Sequence, residues 1–153
     1  MDRMDRRTDD RTWAEWVVLA FGVVYLAVGA LGFAVTDGVG FADNQGDELL
    51  GIFEVNPLHN IVHLAIGAAL VGGFLGGRRP AGLVAVLIGA VYLLVGVIGP
   101  FITDSDANNL ALNGPDHILH IGSAVVLLFA GYTALRPEAR MTGNDRTDVR
   151  RAA

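Results

Sequence analysis

The chain has 153 residues, a net charge of −5 and a mean hydropathy of +0.46, and 52% of its residues are hydrophobic. It has no cysteine, which excludes disulfides, zinc–thiolate sites, iron–sulfur clusters and cysteine nucleophiles. It also has no lysine, and this acidic, arginine-only composition fits a high-GC genome and is compatible with a halophilic source.

Four long apolar segments predict an integral membrane protein, with transmembrane helices at residues 13–35, 58–75, 82–102 and 117–135. At about 1.5 Å per residue, each is about 27–35 Å long, which matches a hydrocarbon core of about 30 Å. The flanking residues 1–12 and 136–153 are rich in mixed charges, which predicts disordered tails. Neither tail has a folded basic domain, so no nucleic-acid binding is expected.

The arginines predict the orientation of these spans. All eleven lie before the first span, between the second and third, or after the fourth. In the other two loops every charged residue is acidic. By the positive-inside rule, both termini face the cytoplasm of a multi-pass plasma-membrane protein. The ends of the first and third spans then lie at the outer membrane face.

An internal duplication is indicated by two similar segments, "GVVYLAVGALGFAVTD" from Gly22 and "GAVYLLVGVIGPFITD" from Gly89. The second and fourth spans align more weakly, with His63 opposite His120. Two hairpins that enter the membrane from the same side form parallel repeats, related by a pseudo-twofold axis along the membrane normal. The predicted fold is therefore all-α, a four-helix membrane bundle.

One tyrosine of each repeat, Tyr25 and Tyr92, falls near the bilayer middle. A hydroxyl at that depth needs a partner, either through a hydrogen bond between helices or through a ligand.

All four histidines fall at the outer ends of the second and fourth spans. Asn56 before Pro57, and Asn113 before Pro115, are typical helix starts. The first two turns of these spans therefore carry His59, His63, His117 and His120. Histidines three or four residues apart share a helix face, so the sequence predicts one polar layer containing imidazoles from both repeats.

Three interpretations of this layer stay open, besides a pH-sensing role for the same imidazoles. In the structural one, His63 and His120 hydrogen-bond each other, the loop carboxylates or the asparagines at positions 56, 60 and 113. In the metal one, His59, His63, His117 and His120 bind Zn²⁺, Cu²⁺ or Fe²⁺ together with Glu54 or Asp116. In the haem one, His63 and His120 are axial ligands.

The segments "GIFEVNPLHNIVHLAIGAA", "YLLVGVIG" and "NGPDHILHIGSA" resemble the domain-of-unknown-function family numbered 4383. The resemblance covers residues 13–135 and implies a small four-span bacterial or archaeal membrane protein. Asn56, His59, Asn60 and His63 match one family segment, and Asn113, Asp116 and His120 match the other. His117 stands where Asn60 would predict an asparagine. The resemblance supplies no activity.

The first functional hypothesis is a non-enzymatic structural or partner-binding module, held in the bilayer alone, as a homo-oligomer or with another membrane protein. The second is a metal- or haem-binding protein, such as a redox accessory. The third is transport of a small solute or ion by an oligomer, which is disfavoured because only histidines among the ionisable residues enter the apolar layer. Since the sequence lacks a nucleophile elbow, a phosphate loop and an HExxH motif, no enzyme is expected.

Overall fold

The computed structural model describes residues 11–137 and shows four helices joined into a bundle. The bounds are α1 (Trp13–Gly32), α2 (Pro57–Gly76), α3 (Arg78–Ile102) and α4 (Gly114–Leu135). Each is long and apolar enough to cross a membrane. Apart from residues 11, 12, 136 and 137, the tails predicted from the sequence lie outside the described residues.

The long loop between α1 and α2 adds a feature that the sequence did not predict, a two-stranded antiparallel sheet. Strands β1 (Asp47–Leu49) and β2 (Phe53–Val55) pair with Glu48 opposite Glu54. This sheet and residues 103–113 lie at the same end of the bundle, which we call the loop end. We call the opposite end, which carries Thr12, Gly77 and Arg136, the turn end.

Helix starts follow the cap residues of the sequence. Asn56 Oδ1 accepts a hydrogen bond from the backbone N–H of His59 at 2.8 Å, and Asn113 Oδ1 accepts one from Asp116 at 3.2 Å. Three helices begin earlier than the predicted spans, α2 by one residue at Pro57, α3 at Arg78 and α4 at Gly114. Gly77 alone makes the turn into α3, because its φ of 98° suits glycine and reverses the chain without a longer loop.

Helices α1 and α2 pack as one pair and α3 and α4 as another, both at close range. A Cβ added to Gly29 would lie 2.7 Å from the carbonyl oxygen of Asn60, and one added to Gly96 would lie 3.1 Å from the backbone nitrogen of Ile121. Helix backbones approach this closely only where small residues face the partner helix.

The core toward the turn end is apolar. Val18, Leu70 and Leu127 are fully buried there. On the outside of the bundle, large apolar side chains such as Leu87 and Val125 are 65% and 61% exposed. An apolar core wrapped by an apolar surface is the arrangement of a multi-pass membrane protein in contact with lipid.

At the turn end, each helix pair is closed by an arginine. Arg11 donates to the carboxylate of Glu15 at 3.0 Å and also to the carbonyl oxygen of Phe74 near the end of α2. Arg78 Nε donates at 2.9 Å to the carbonyl oxygen of Ala134 near the end of α4. Cations stabilise the exposed carbonyls of a helix C-terminus, so each arginine ties the first helix of its pair to the second.

Candidate functional site

Three histidines meet near the loop end of the bundle. One ring-nitrogen ligand atom from each of His59, His63 and His120 lies within 4.8 Å of those of the other two. The ring centroids of His59 and His63 are 4.4 Å apart, and that of His120 lies 6.1 Å from His59 and 6.4 Å from His63. All three side chains are buried. We call this group the histidine cluster.

Helix periodicity explains how two chain segments build the cluster. His59 and His63 are four residues apart and therefore stack on one face of α2. His120 comes from the first two turns of α4, whose start is fixed by the Asn113 cap. Because both helices begin at the loop end, their first turns bring the three imidazoles to similar depths.

Several ring nitrogens of the cluster lack a partner. Within residues 11–137, no hydrogen bond reaches Nδ1 of His59, Nδ1 of His120 or either nitrogen of His63. Burying a polar atom without a hydrogen bond costs about 1–3 kcal/mol. Unsatisfied buried groups are rare in native proteins and commonly mark a bound water or ion.

Two tyrosines lie beneath the cluster on the turn-end side. The ring of Tyr25 is 5.4 Å from that of His63, and the ring of Tyr92 is 4.9 Å from that of His120. The tyrosine rings meet edge to face at 5.3 Å and 82°. In the described part of the chain neither hydroxyl has a partner in good hydrogen-bond geometry, although the hydroxyls of Ser123 and Tyr92 neighbour that of Tyr25. The five rings therefore form one closed group of contacts.

The fourth histidine, His117, is not part of this group. Its Nε2 lies 2.8 Å from the hydroxyl of Thr103, and its ring rests against Gly99. In the first helix pair, Asn60 makes the matching contacts, because its side-chain amide donates to the Thr36 hydroxyl at 3.2 Å. His117 therefore joins α4 to the end of α3, as Asn60 joins α2 to the end of α1.

The two predicted carboxylate ligands also lie outside the cluster's ligand group. The carboxylate of Asp116 accepts a hydrogen bond from the backbone N–H of Asn113 at 3.0 Å and so completes a capping box. Glu54 lies in β2 at the loop end. Among the described residues, histidines alone supply the closely spaced ligand set.

The cap asparagines connect the two loops above the cluster. Asn56 donates at 2.9 Å to the carbonyl oxygen of Asn109, and Asn113 donates at 2.8 Å to the carbonyl oxygen of Ile52. Asn56 also donates to the carbonyl oxygen of Asp43. Each loop is thus held by the helix start of the other pair, and His59 beneath them is 1% exposed.

The chemistry available at the cluster is that of neutral imidazole. Three imidazoles are a common ligand set for Zn²⁺, Cu²⁺ or Fe²⁺ and leave one position for a further ligand. A tetrahedral ion with metal–nitrogen bonds of about 2.0–2.1 Å needs nitrogens about 3.3 Å apart. The three ligand nitrogens lie within 4.8 Å of one another, so the rings would have to close toward the ion to reach that distance.

Comparison with known proteins gives one match. A family model described as "Domain of unknown function (DUF4383)" matches residues 15–133, a range that includes all four helices almost completely and the whole histidine cluster. No curated protein and no solved structure matches the chain.

Proposed function

This chain belongs to the DUF4383 family, and we propose that it is a membrane protein that binds one divalent transition-metal ion through His59, His63 and His120. The site lies near one membrane face. The proposed ligands come from α2 and α4, which α3 separates along the chain, so only the folded bundle brings them together.

The unpartnered nitrogens of His63 carry the proposal. If the histidines only locked the helices together, His63 would hydrogen-bond His120, an asparagine or a loop carboxylate. His63 is 4% exposed, and neither of its ring nitrogens has such a partner among residues 11–137. A bound ion would satisfy one nitrogen of each of the three rings at once.

The crowding of the rings favours an ion over haem. A haem held by His63 and His120 would place a wide macrocycle between them. The ring of His59 lies 4.4 Å from that of His63, Tyr25 contacts His63, and Tyr92 contacts His120. A single ion needs only the small space between the three imidazoles.

The same geometry favours binding over transport or catalysis. Beyond the tyrosines, fully buried apolar residues, including Leu70 and Leu127, fill the core toward the turn end. An ion at the cluster would therefore reach one face of the membrane only. Tyrosine rings and apolar side chains surround the imidazoles, so we propose a metal-binding protein without enzymatic activity.

We place the protein in the plasma membrane with both termini in the cytoplasm, on the evidence of the arginine distribution. The loop end and the cluster then face the extracytoplasmic side. We also propose that the chain arose by duplication of a helix pair. The reciprocal bonds of Asn56 and Asn113, and the paired roles of Asn60 and His117, support that origin.

Metal analysis of tag-free protein purified from its native membrane tests the proposal. We expect one transition-metal ion per chain in the wild type and its loss in His63→Ala and His120→Ala. An absorption spectrum of the same sample checks for the Soret band of haem. A wild-type protein without metal, or with haem, would overturn the proposal.

His117→Asn is the matched control, because it removes an imidazole from the same layer but outside the cluster. We expect this variant to keep its ion. Circular dichroism and gel filtration of all variants show which of them remain folded. Equal metal loss from folded His63→Ala and His117→Asn would refute the assignment of the three ligands.

A further inference from the structure

An apolar cavity of about 300 Å³ lies between α1 and α4, beside the histidine cluster. Its walls include Ala20, Phe21 and Tyr25 of α1, His63 of α2, and Leu119 and Ser123 of α4. These α1 residues lie near the middle of the span. Val24 and Leu119, at 55% and 43% exposed, form the rim on the outside of the bundle, so the cavity opens toward the acyl chains of the bilayer.

Small side chains leave this space open. Ala20 lies five residues before Tyr25, and Leu87 holds the matching position before Tyr92 in α3. Ser123 follows His120 by three residues, and Ile66 follows His63 by three. The matching positions in α3 and α2 thus carry two large apolar side chains, Leu87 and Ile66, where the cavity has Ala20 and Ser123.

The walls of the cavity indicate what it binds. The rings of Phe21 and Tyr25 lie 5.9 Å apart at 53° and present aromatic surface. His63 is a polar side chain that is more than nine-tenths buried and has no hydrogen-bond partner within residues 11–137. The volume is at the lower end of that of small-molecule pockets, which is about 300–1,000 Å³.

We propose that this cavity binds a neutral aromatic molecule of one or two rings, taken up from the bilayer. Such a molecule packs on Phe21 and Tyr25 and contacts the edge of His63. A charged ligand is excluded, since apolar side chains dominate the walls and the mouth opens to lipid. The inference deepens the proposed function, because it places the ligand beside a residue that would hold the metal ion.

The test uses an aryl diazirine that dissolves in membranes, with the whole chain in lipid nanodiscs and metal removed by a chelator. After photolysis, mass spectrometry maps the labelled residues. We expect saturable labelling at the cavity walls of α1 and α4, displaced by excess naphthalene. Labelling of the lipid-facing residues elsewhere on the helices should neither saturate nor be displaced.

The double variant Ala20→Leu with Ser123→Ile closes the cavity with side chains like those of the matching positions. We expect it to lose the saturable labelling, whereas Ala27→Leu, on an exposed position of α1 outside the cavity walls, should keep it. Labelling that never saturates would show a lipid chain in the cavity and overturn the proposal. Unchanged saturable labelling in the folded double variant would also overturn it.

Metal content, measured on separate samples not treated with chelator, keeps this test distinct from that of the proposed function. We expect the double variant to bind its ion as the wild type does, because neither changed residue belongs to the cluster. Saturable labelling of a protein that binds no metal would support the cavity and refute the metal site. Metal binding without saturable labelling would support the metal site and refute the cavity as a binding site.

Discussion

The two helix pairs use the same positions for different purposes. Asn56 and Asn113 both cap a helix and both reach the opposite loop. Three residues later, however, α2 has His59, which points into the cluster, and α4 has Asp116, which completes a capping box. The comparison shows where the two pairs diverge: His63 and His120 occupy matching positions and both belong to the cluster, whereas His59 is matched by Asp116, which lies outside it.

A second difference concerns the next position. Asn60 of α2 and His117 of α4 both bond to a threonine at the end of the preceding helix. Chemical identity therefore misleads here, because His117 is a histidine with the role of an asparagine. Position within the helix pair predicts its contact better than residue type does.

The largest expected effect compares the two caps. Asn56 is fully buried and makes three hydrogen bonds, whereas the Asn113 bond to Ile52 is exposed. Loss of a cap costs about 1 kcal/mol, and buried carbonyls left unpaired add about 1–3 kcal/mol. We expect Asn56→Ala to lower the free energy of unfolding by about 3 kcal/mol and Asn113→Ala by about 1 kcal/mol.

Unfolding in mixed micelles, followed by circular dichroism, measures both. Asn56→Ser is the control, because its hydroxyl oxygen can still cap the helix but cannot replace both donated bonds. Its loss of unfolding free energy should fall between those of the two alanine variants. Equal destabilisation by the two alanine variants would mean that the caps are equivalent.

The next effect separates site from scaffold at the third helical position. Glutamine there can reach back to the cap backbone, so both His59→Gln and Asp116→Gln preserve the capping geometry. Only His59→Gln removes a proposed ligand. Loss of a residue that merely hydrogen-bonds a metal ligand weakens binding about 10–100-fold, so we expect loss of the ligand itself to weaken Zn²⁺ binding at least about 100-fold. Titration against a competing chelator gives the affinities. An equal loss of Zn²⁺ affinity in Asp116→Gln would mean that the Asp116 carboxylate also binds the ion.

Glycine contacts give a smaller difference between the pairs. A Cβ at Gly29 meets the backbone oxygen of Asn60 at 2.7 Å, whereas at Gly96 the nearest atom is the movable Cγ1 of Ile121 at 2.6 Å. We expect Gly29→Ala to cost about 2 kcal/mol and Gly96→Ala about 1 kcal/mol, within the range for overpacking. The same unfolding assay measures them. Gly122→Ala, with nothing within 4 Å, should cause no loss, and a loss there would point to an unrelated effect of the added methyl group.

The smallest expected effect is that of His117→Asn. Asparagine can bond to the Thr103 hydroxyl as Asn60 bonds to Thr36, so the free energy of unfolding should change by less than about 0.5 kcal/mol. His117→Ala, which loses the bond, should cost about 1 kcal/mol. A large destabilisation by His117→Asn would show that the two positions are not interchangeable.

The sequence predicted the parts of this structure that depend on local chemistry. Long apolar segments predicted four helices capable of crossing a membrane, and Asn56 and Asn113 predicted where two of them begin. The layer of histidines followed from those starts. The spacing from Asn113 already indicated that Asp116 lies in the first helical turn and that His117 takes the position of Asn60. Residue type nevertheless made both candidate metal ligands, because carboxylates and imidazoles commonly bind metal ions.

Other features depend on tertiary geometry and were not predicted. His117 and His120, three residues apart, are separated by about 60° around the helix axis, which is enough to direct one ring to Thr103 and the other to the cluster. The bonds that join the loops end on backbone carbonyls, such as those of Asn109 and Ile52. Every residue has such a carbonyl, so no sequence pattern marks the ones that are used.

The reciprocal bonds between the loops have a consequence for biogenesis. A ribosome delivers α1 and α2 before α4 exists, so Asn56 meets its acceptor at Asn109 only after most of the protein has been translated. His120 arrives later still. A nascent protein halted after α3 would therefore lack the loop contacts of Asn109 and would carry two of the three cluster imidazoles. Binding of the proposed metal ion through all three would then follow insertion of the last helix.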